Sequence, residues 1–115
     1  MKITMLHNPR CSKSRQTLEL LRERGLEPDI VRYLETPPSA AELREILRLL
    51  GRSPRDLLRR GEAEYAELGL ADTALDDATL IDAMVRHPRL IERPIVIAGG
   101  KAAIGRPPES VLEIL

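Results

Sequence analysis

One stretch of the chain gathers most of the residues that could do chemistry. His7-Asn8-Pro9-Arg10-Cys11-Ser12-Lys13-Ser14-Arg15 holds the only cysteine in 115 residues. The apolar run Ile3 to Leu6 empties into this loop, and a helical pattern follows it, so Cys11 is expected at a helix entrance. There, main-chain N–H groups and the positive end of the helix dipole point at its sulfur. His7, Arg10, Lys13 and Arg15 add positive charge or hydrogen bonds that favour thiolate over thiol. The flanking Pro, Arg, Ser and Lys make a poor apolar pocket, which argues for a nucleophile and against a buried structural thiol. His7 either stabilises the thiolate or bonds the loop. Asn8 and Pro9 shape the turn. Ser12 and Ser14 cap the helix or donate to a bound anion, and Arg15 is a further candidate for substrate contact. A dithiol redox motif would carry a second cysteine where Ser14 stands, so any adduct on Cys11 must be resolved by an outside thiol. Cys11 and Arg15 are also too close for the Cys-five-residues-Arg loop of low-molecular-weight tyrosine phosphatases.

The elements that must position this loop can be read from periodicity. Ile3–Leu6 reads as a buried strand, a helix with Thr17, Leu18, Leu20 and Leu21 on one face runs from Ser14 to a stop at Gly25, and Asp29–Leu34 reads as a second strand. A crossover containing a helix makes these two strands parallel. Ser39 and Glu42 can form a capping box for a helix to Leu50, closed by Gly51. Ser53-Pro54 starts a short helix, and Leu75–Arg86 reads as another. Pro94–Ala98, Gly99-Gly100 and Lys101–Ile104 form a hairpin pattern, and Pro107-Pro108-Glu109 opens a terminal helix. The expected fold is α/β: a thioredoxin-like core of 1–36 and 91–115 with a mixed four-stranded sheet, and a helical insertion over 37–90, all in one domain.

Composition narrows the function. Eighteen basic residues balance eighteen acidic ones, which offers no general attraction for nucleic acid or an anionic membrane. The only aromatics are Tyr33 and Tyr65, too few for the stacking platforms of single-strand binding. One thiol excludes an internal disulfide framework and a multi-thiolate zinc site. The first residues lack the apolar run of a signal peptide, and no stretch is long enough for a membrane span, so the cytoplasm is the expected compartment.

The cysteine loop resembles the active-site loop of the glutaredoxin-linked arsenate reductase family. The resemblance continues through Tyr33-Leu34-Glu35-Thr36-Pro37-Pro38, Leu57-Leu58-Arg59-Arg60, Tyr65-Ala66-Glu67-Leu68-Gly69-Leu70, His87-Pro88-Arg89-Leu90-Ile91-Glu92-Arg93-Pro94-Ile95-Val96 and Gly105-Arg106-Pro107-Pro108-Glu109. It implies a thioredoxin-like fold in which Cys11 attacks arsenate while Arg59, Arg93 and Arg106 hold the oxyanion. Guanidinium forks suit a tetrahedral anion. It further implies glutathione as co-substrate, glutaredoxin as reductant, arsenite as product and no bound metal or cofactor. Pro94 is placed to be the cis proline that usually precedes the third strand of this fold. Family members commonly extend past the final helix, whereas this sequence ends at Leu115, and some carry a second cysteine where this one has Gly105.

Two other functions share these features. One is a monothiol, glutathione-dependent oxidoreductase acting on another substrate. The second is an Spx-type regulator that binds RNA polymerase, against which stand the missing Cys-x-x-Cys pair and the retained arginine motifs.

Overall fold

The computed structural model describes residues 2–115. The chain divides into two compact units, one formed by residues up to Thr36 with Arg93–Leu115 and the other by Pro37–Glu92.

In the first unit, β1 (Ile3–Leu6), α1 (Ser12–Glu23) and β2 (Asp29–Val31) are followed, after the second unit, by β3 (Ile95–Ala98), β4 (Lys101–Ile104) and a 3-10 helix at Pro108–Ile114. The strands form one mixed sheet in the order β2-β1-β3-β4. β1 runs parallel to β2, with Met5 opposite Ile30, and antiparallel to β3, with Leu6 opposite Ile95. β3 and β4 are antiparallel, joined through Gly99 and Gly100, both at positive φ as a tight two-residue hairpin turn requires. This is the thioredoxin-like α/β arrangement expected from the sequence. Alternation along β1 and β3 sends Ile3, Met5, Val96 and Ala98 to one face, where they are buried with Leu21 of α1 and Val111 of the 3-10 helix.

The second unit is built on short, well-capped helices. In α2 (Ala40–Leu50) the Ser39 side chain accepts from the Glu42 main-chain N–H, Glu42 Oε1 accepts from the Ser39 N–H, and Gly51 ends the helix in the left-handed region. α3 (Pro54–Leu57) and α4 (Ala63–Glu67) precede α5 (Asp77–Arg86), whose Asp76 side chain caps it through the Thr79 N–H. Leu43, Ile46 and Leu47 of α2, Leu57 of α3, and Leu80, Ile81 and Met84 of α5 are buried, and α5 packs against α2 and α3. After a 3-10 turn at Pro88–Leu90, an antiparallel bridge pairs Leu58 with Ile91. The Arg59 N–H donates to Leu90 O and the Glu92 N–H to Leu57 O. Arg55 ties down the following loop by donating to the carbonyls of Leu70 and Asp72.

Three local expectations need correction, and one short helix inside the insertion was not anticipated individually. The second strand ends at Val31, because its partner β1 ends at the register pair Leu6–Val31 and the chain leaves the sheet with the His7 N–H on Val31 O. Tyr33 and Leu34 then lie in a turn, where the Glu35 and Thr36 N–H groups both donate to Arg32 O. α1 begins at Ser12, because its first turn carries loop residues and its apolar face starts one turn later. The final helix is 3-10 throughout, and α4 is a single short helix whose five residues show no periodic apolar face.

The capping box makes a stability prediction. Ser39→Ala removes one side of it and should cost about 1 kcal/mol, seen as a lower urea midpoint at unchanged transition slope.

Candidate active site

The cysteine loop is folded by its own hydrogen bonds. The Cys11 N–H donates to Asn8 O at 3.0 Å and the Arg10 N–H to Asn8 Oδ1 at 3.0 Å, closing the turn. Cys11 is the N-cap of α1, with extended φ and ψ, and the first turn of that helix contains no acidic residue to offset its positive end. The side chain of Cys11 makes no capping bond, and the residue is 8% exposed.

His7 and Ser14 brace the loop from below. Ser14 has no exposed surface, and its Oγ lies 2.6 Å from His7 Nδ1 while accepting from the Asn8 N–H at 3.1 Å. The hydroxyl is thus turned into the loop. Burial holds the His7 imidazole below the ordinary histidine pKa, and the charges of Arg32, Arg22 and Arg15 push the same way. His7 therefore enters the site as a neutral hydrogen-bonding ring. Of the two roles open to it from sequence, the structure displays bonding within the loop, through a side-chain hydroxyl. Arg15 is exposed and donates from Nη1 to Pro9 O at 2.9 Å, so it too clasps the loop.

Arg106 approaches the sulfur directly. Its Nη2 donates to Cys11 Sγ at 3.6 Å and its Nε to the Arg93 carbonyl at 2.8 Å. One guanidinium thus spans the cysteine and the main chain at Arg93, whose own Nε and Nη1 are buried. Both Arg93-Pro94 and Arg106-Pro107 are cis. The first was anticipated at Pro94, and the second was not, although an X-Pro pair beside a site arginine is the signal that could have raised it.

Gly105 and Thr17 were also missed. The Gly105 N–H donates to Pro94 O at 2.9 Å, and a Cβ on Gly105 would stand 2.5 Å from Thr17 Oγ1 and 2.7 Å from Pro94 Cγ. Thr17 is fully buried and donates to Lys13 O, so it cannot readily retreat. A side chain at this position would have to displace Thr17 or Pro94.

Arg59 lies in the second unit. Its Nη1 donates to Glu62 Oε1 at 2.6 Å, and its Nε is 3.7 Å from Glu92 Oε1. Beside the cysteine loop, a recess of about 420 Å³ opens between His7–Arg10 and Arg32–Glu35. Among the described residues, no group of three or more His, Cys, Asp or Glu side chains could hold a metal ion, and no helix is long and apolar enough to cross a membrane.

The cysteine at the start of α1 is thus touched by an arginine that follows the fourth strand, and the ArsC family model matches residues 6–114 of the chain. The chain belongs to the ArsC family. This ArsC-family chain is 59% identical over 115 residues to YfgD of Escherichia coli K12, an uncharacterized protein, covering 99% of this chain and 97% of the other. It is 50% identical to the arsenate reductase of Neisseria meningitidis serogroup B, covering 99% and 98% of the two chains. The structure of an arsenate reductase from Vibrio cholerae matches it with a TM-score of 0.97 at 51% identity, over 100% of this chain and 98% of that one.

Two measurements test this geometry. Gly105→Ala should destabilise the protein by about 1–3 kcal/mol through overpacking against Thr17 and Pro94, and a double-mutant cycle in thermal melts should show a smaller loss for Gly105→Ala in the Thr17→Ala background, where the clashing hydroxyl is gone. For His7 the sign follows from its depressed native pKa. The unfolded chain binds a proton near pH 6.5 while the native ring does not, so the stability His7 contributes is complete above about pH 6.5 and declines as pH falls toward the native value. His7→Gln should flatten that part of the stability profile measured by urea unfolding between about pH 7 and pH 5.

Proposed function

We propose that this ArsC-family protein is an arsenate reductase. The observation that carries the reading is the Arg106 Nη2 contact at 3.6 Å from Cys11 Sγ, at the N-terminal end of α1. It sets a nucleophilic sulfur beside a forked cation able to neutralise an oxyanion as the sulfur attacks. The 50% identity to a protein named arsenate reductase over nearly the whole of both chains supports the substrate.

In the proposed reaction the Cys11 sulfur bonds to arsenic(V) and one oxygen, protonated, leaves as water. Glutathione then attacks the adduct through its sulfur, displacing a second oxygen as water. A glutaredoxin thiol then attacks the glutathione sulfur, forming a mixed disulfide and leaving the sulfur–arsenic electron pair on arsenic, now arsenic(III). Water finally cleaves the Cys11–arsenic bond, restoring the Cys11 thiol and releasing arsenite. The single thiol of the chain supports this dependence on outside thiols and a reducing, cytoplasmic setting. The recess beside the loop offers room for the incoming thiol. Cys11 is the nucleophile, with Arg93 and Arg106 as oxyanion donors from the first unit. Arg59 is assigned the same chemistry from its motif, Leu57-Leu58-Arg59-Arg60. His7, Ser14 and Arg15 hold the loop in which Cys11 sits.

The test is arsenite release from reduced protein mixed with arsenate, glutathione and glutaredoxin. Release well above that of Cys11→Ser is expected, and release equal to that variant would overturn the assignment. In the same assay Arg106→Lys should lower kcat/KM for arsenate by about tenfold or more, because charge remains but the fork joining sulfur and Arg93 is lost.

A further inference from the structure

Arg59 does not stand alone in the helical unit. Glu62, the N-cap residue of α4, follows it by three positions and accepts from Arg59 Nη1 through Oε1 at 2.6 Å and from Arg89 Nη2 through Oε2 at 3.1 Å. The Leu58–Ile91 bridge brings Glu92 alongside, with Oε1 3.7 Å from Arg59 Nε. The Arg59 and Glu62 side chains are 25% and 15% exposed, so water screens their interaction only in part. A guanidinium grips a tetrahedral oxyanion along one of two edges, Nη1 with Nη2 or Nε with Nη2. Each edge of Arg59 already has one nitrogen facing a carboxylate. A forked grip on an incoming oxyanion therefore requires a carboxylate to give way, or sets two anions against one cation.

We propose that Glu62 is a specificity-determining residue that acts through Arg59, competing as an internal anion with the oxyanion substrate and holding down affinity for highly charged tetrahedral oxyanions. The inference rests on the reading of Arg59 as an oxyanion donor. Arg89 has the opposite influence, because it draws the second oxygen of Glu62 toward itself. A carboxylate that merely fixed the guanidinium in place would behave differently, since its removal would loosen Arg59 and weaken binding.

The decisive experiment compares Glu62→Gln and Arg89→Ala with the unmodified full chain. Competition predicts that Glu62→Gln lowers KM for arsenate about three- to tenfold at unchanged kcat, while Arg89→Ala raises it. The Arg89 side chain is 63% exposed, which keeps the second variant folded. Arsenate binding by calorimetry, in Cys11→Ser with and without Glu62→Gln, reads the same effect without turnover. If arsenate is not reduced but binding still tightens on Glu62→Gln, the arsenate reductase reading falls and the role of Glu62 stands. If arsenate is reduced and KM stays level or rises on Glu62→Gln, or if Arg89→Ala lowers it, the role of Glu62 is overturned and the reductase reading stands.

Discussion

The first unit is arranged around one electrostatic requirement, that a sulfur atom keep company with positive ends. Cys11 is the N-cap residue of α1, whose first turn holds no acidic residue, and Arg106 reaches its sulfur from the far end of the chain. The two are 95 positions apart in sequence. Only the sheet order β2-β1-β3-β4 makes them neighbours, since it lays β3 against β1 and delivers the residues after β4 to the start of α1. Arg106 is then aimed by the Arg93 carbonyl, which fixes Nε and leaves Nη2 for sulfur. Such a fork, with donors at a fixed angle, is what a flexible ammonium cannot provide.

Close packing makes the arrangement possible. Gly105 lets the segment bearing Arg106 press against Thr17 and Pro94 with no room for a methyl group. On the other side of the loop, His7 and Ser14 form a buried polar brace. Burying a hydroxyl and an imidazole without partners would be costly, and each satisfies the other while Ser14 also takes the Asn8 N–H. Burial and three nearby arginines keep that ring uncharged, so the positive character of the site comes from guanidinium and helix.

The helical unit handles its arginines differently. Arg55 is spent on two main-chain carbonyls, whereas Arg59 is matched to two carboxylates through the pairing of Leu58 with Ile91. An arginine surrounded by acids and one set against a sulfur are chemically distinct donors, although both occur in motifs that look alike in kind. In the proposed chemistry their contributions to holding an oxyanion are correspondingly unequal.

Sequence alone determined the elements whose causes are local. The Ser39–Glu42 box, the Ser53-Pro54 start, the Gly99-Gly100 hairpin and the burial of Ile3, Met5 and Leu21 follow from spacing and turn chemistry within a few residues, and so does the place of Cys11 at a helix entrance. The resemblance of ordered motifs singled out Arg93 and Arg106 before any contact was visible. Tertiary structure alone decided which groups meet: that Arg106 touches sulfur and Arg93 lends a carbonyl, that Ser14 turns inward to His7, that Gly105 has no space for a side chain, and that β2 stops at Val31. The reason is physical. Helix caps and turns are fixed by interactions among adjacent residues, whereas hydrogen bonds across 95 positions, steric exclusion at a glycine and the length of an edge strand depend on partners that sequence neighbourhood does not contain.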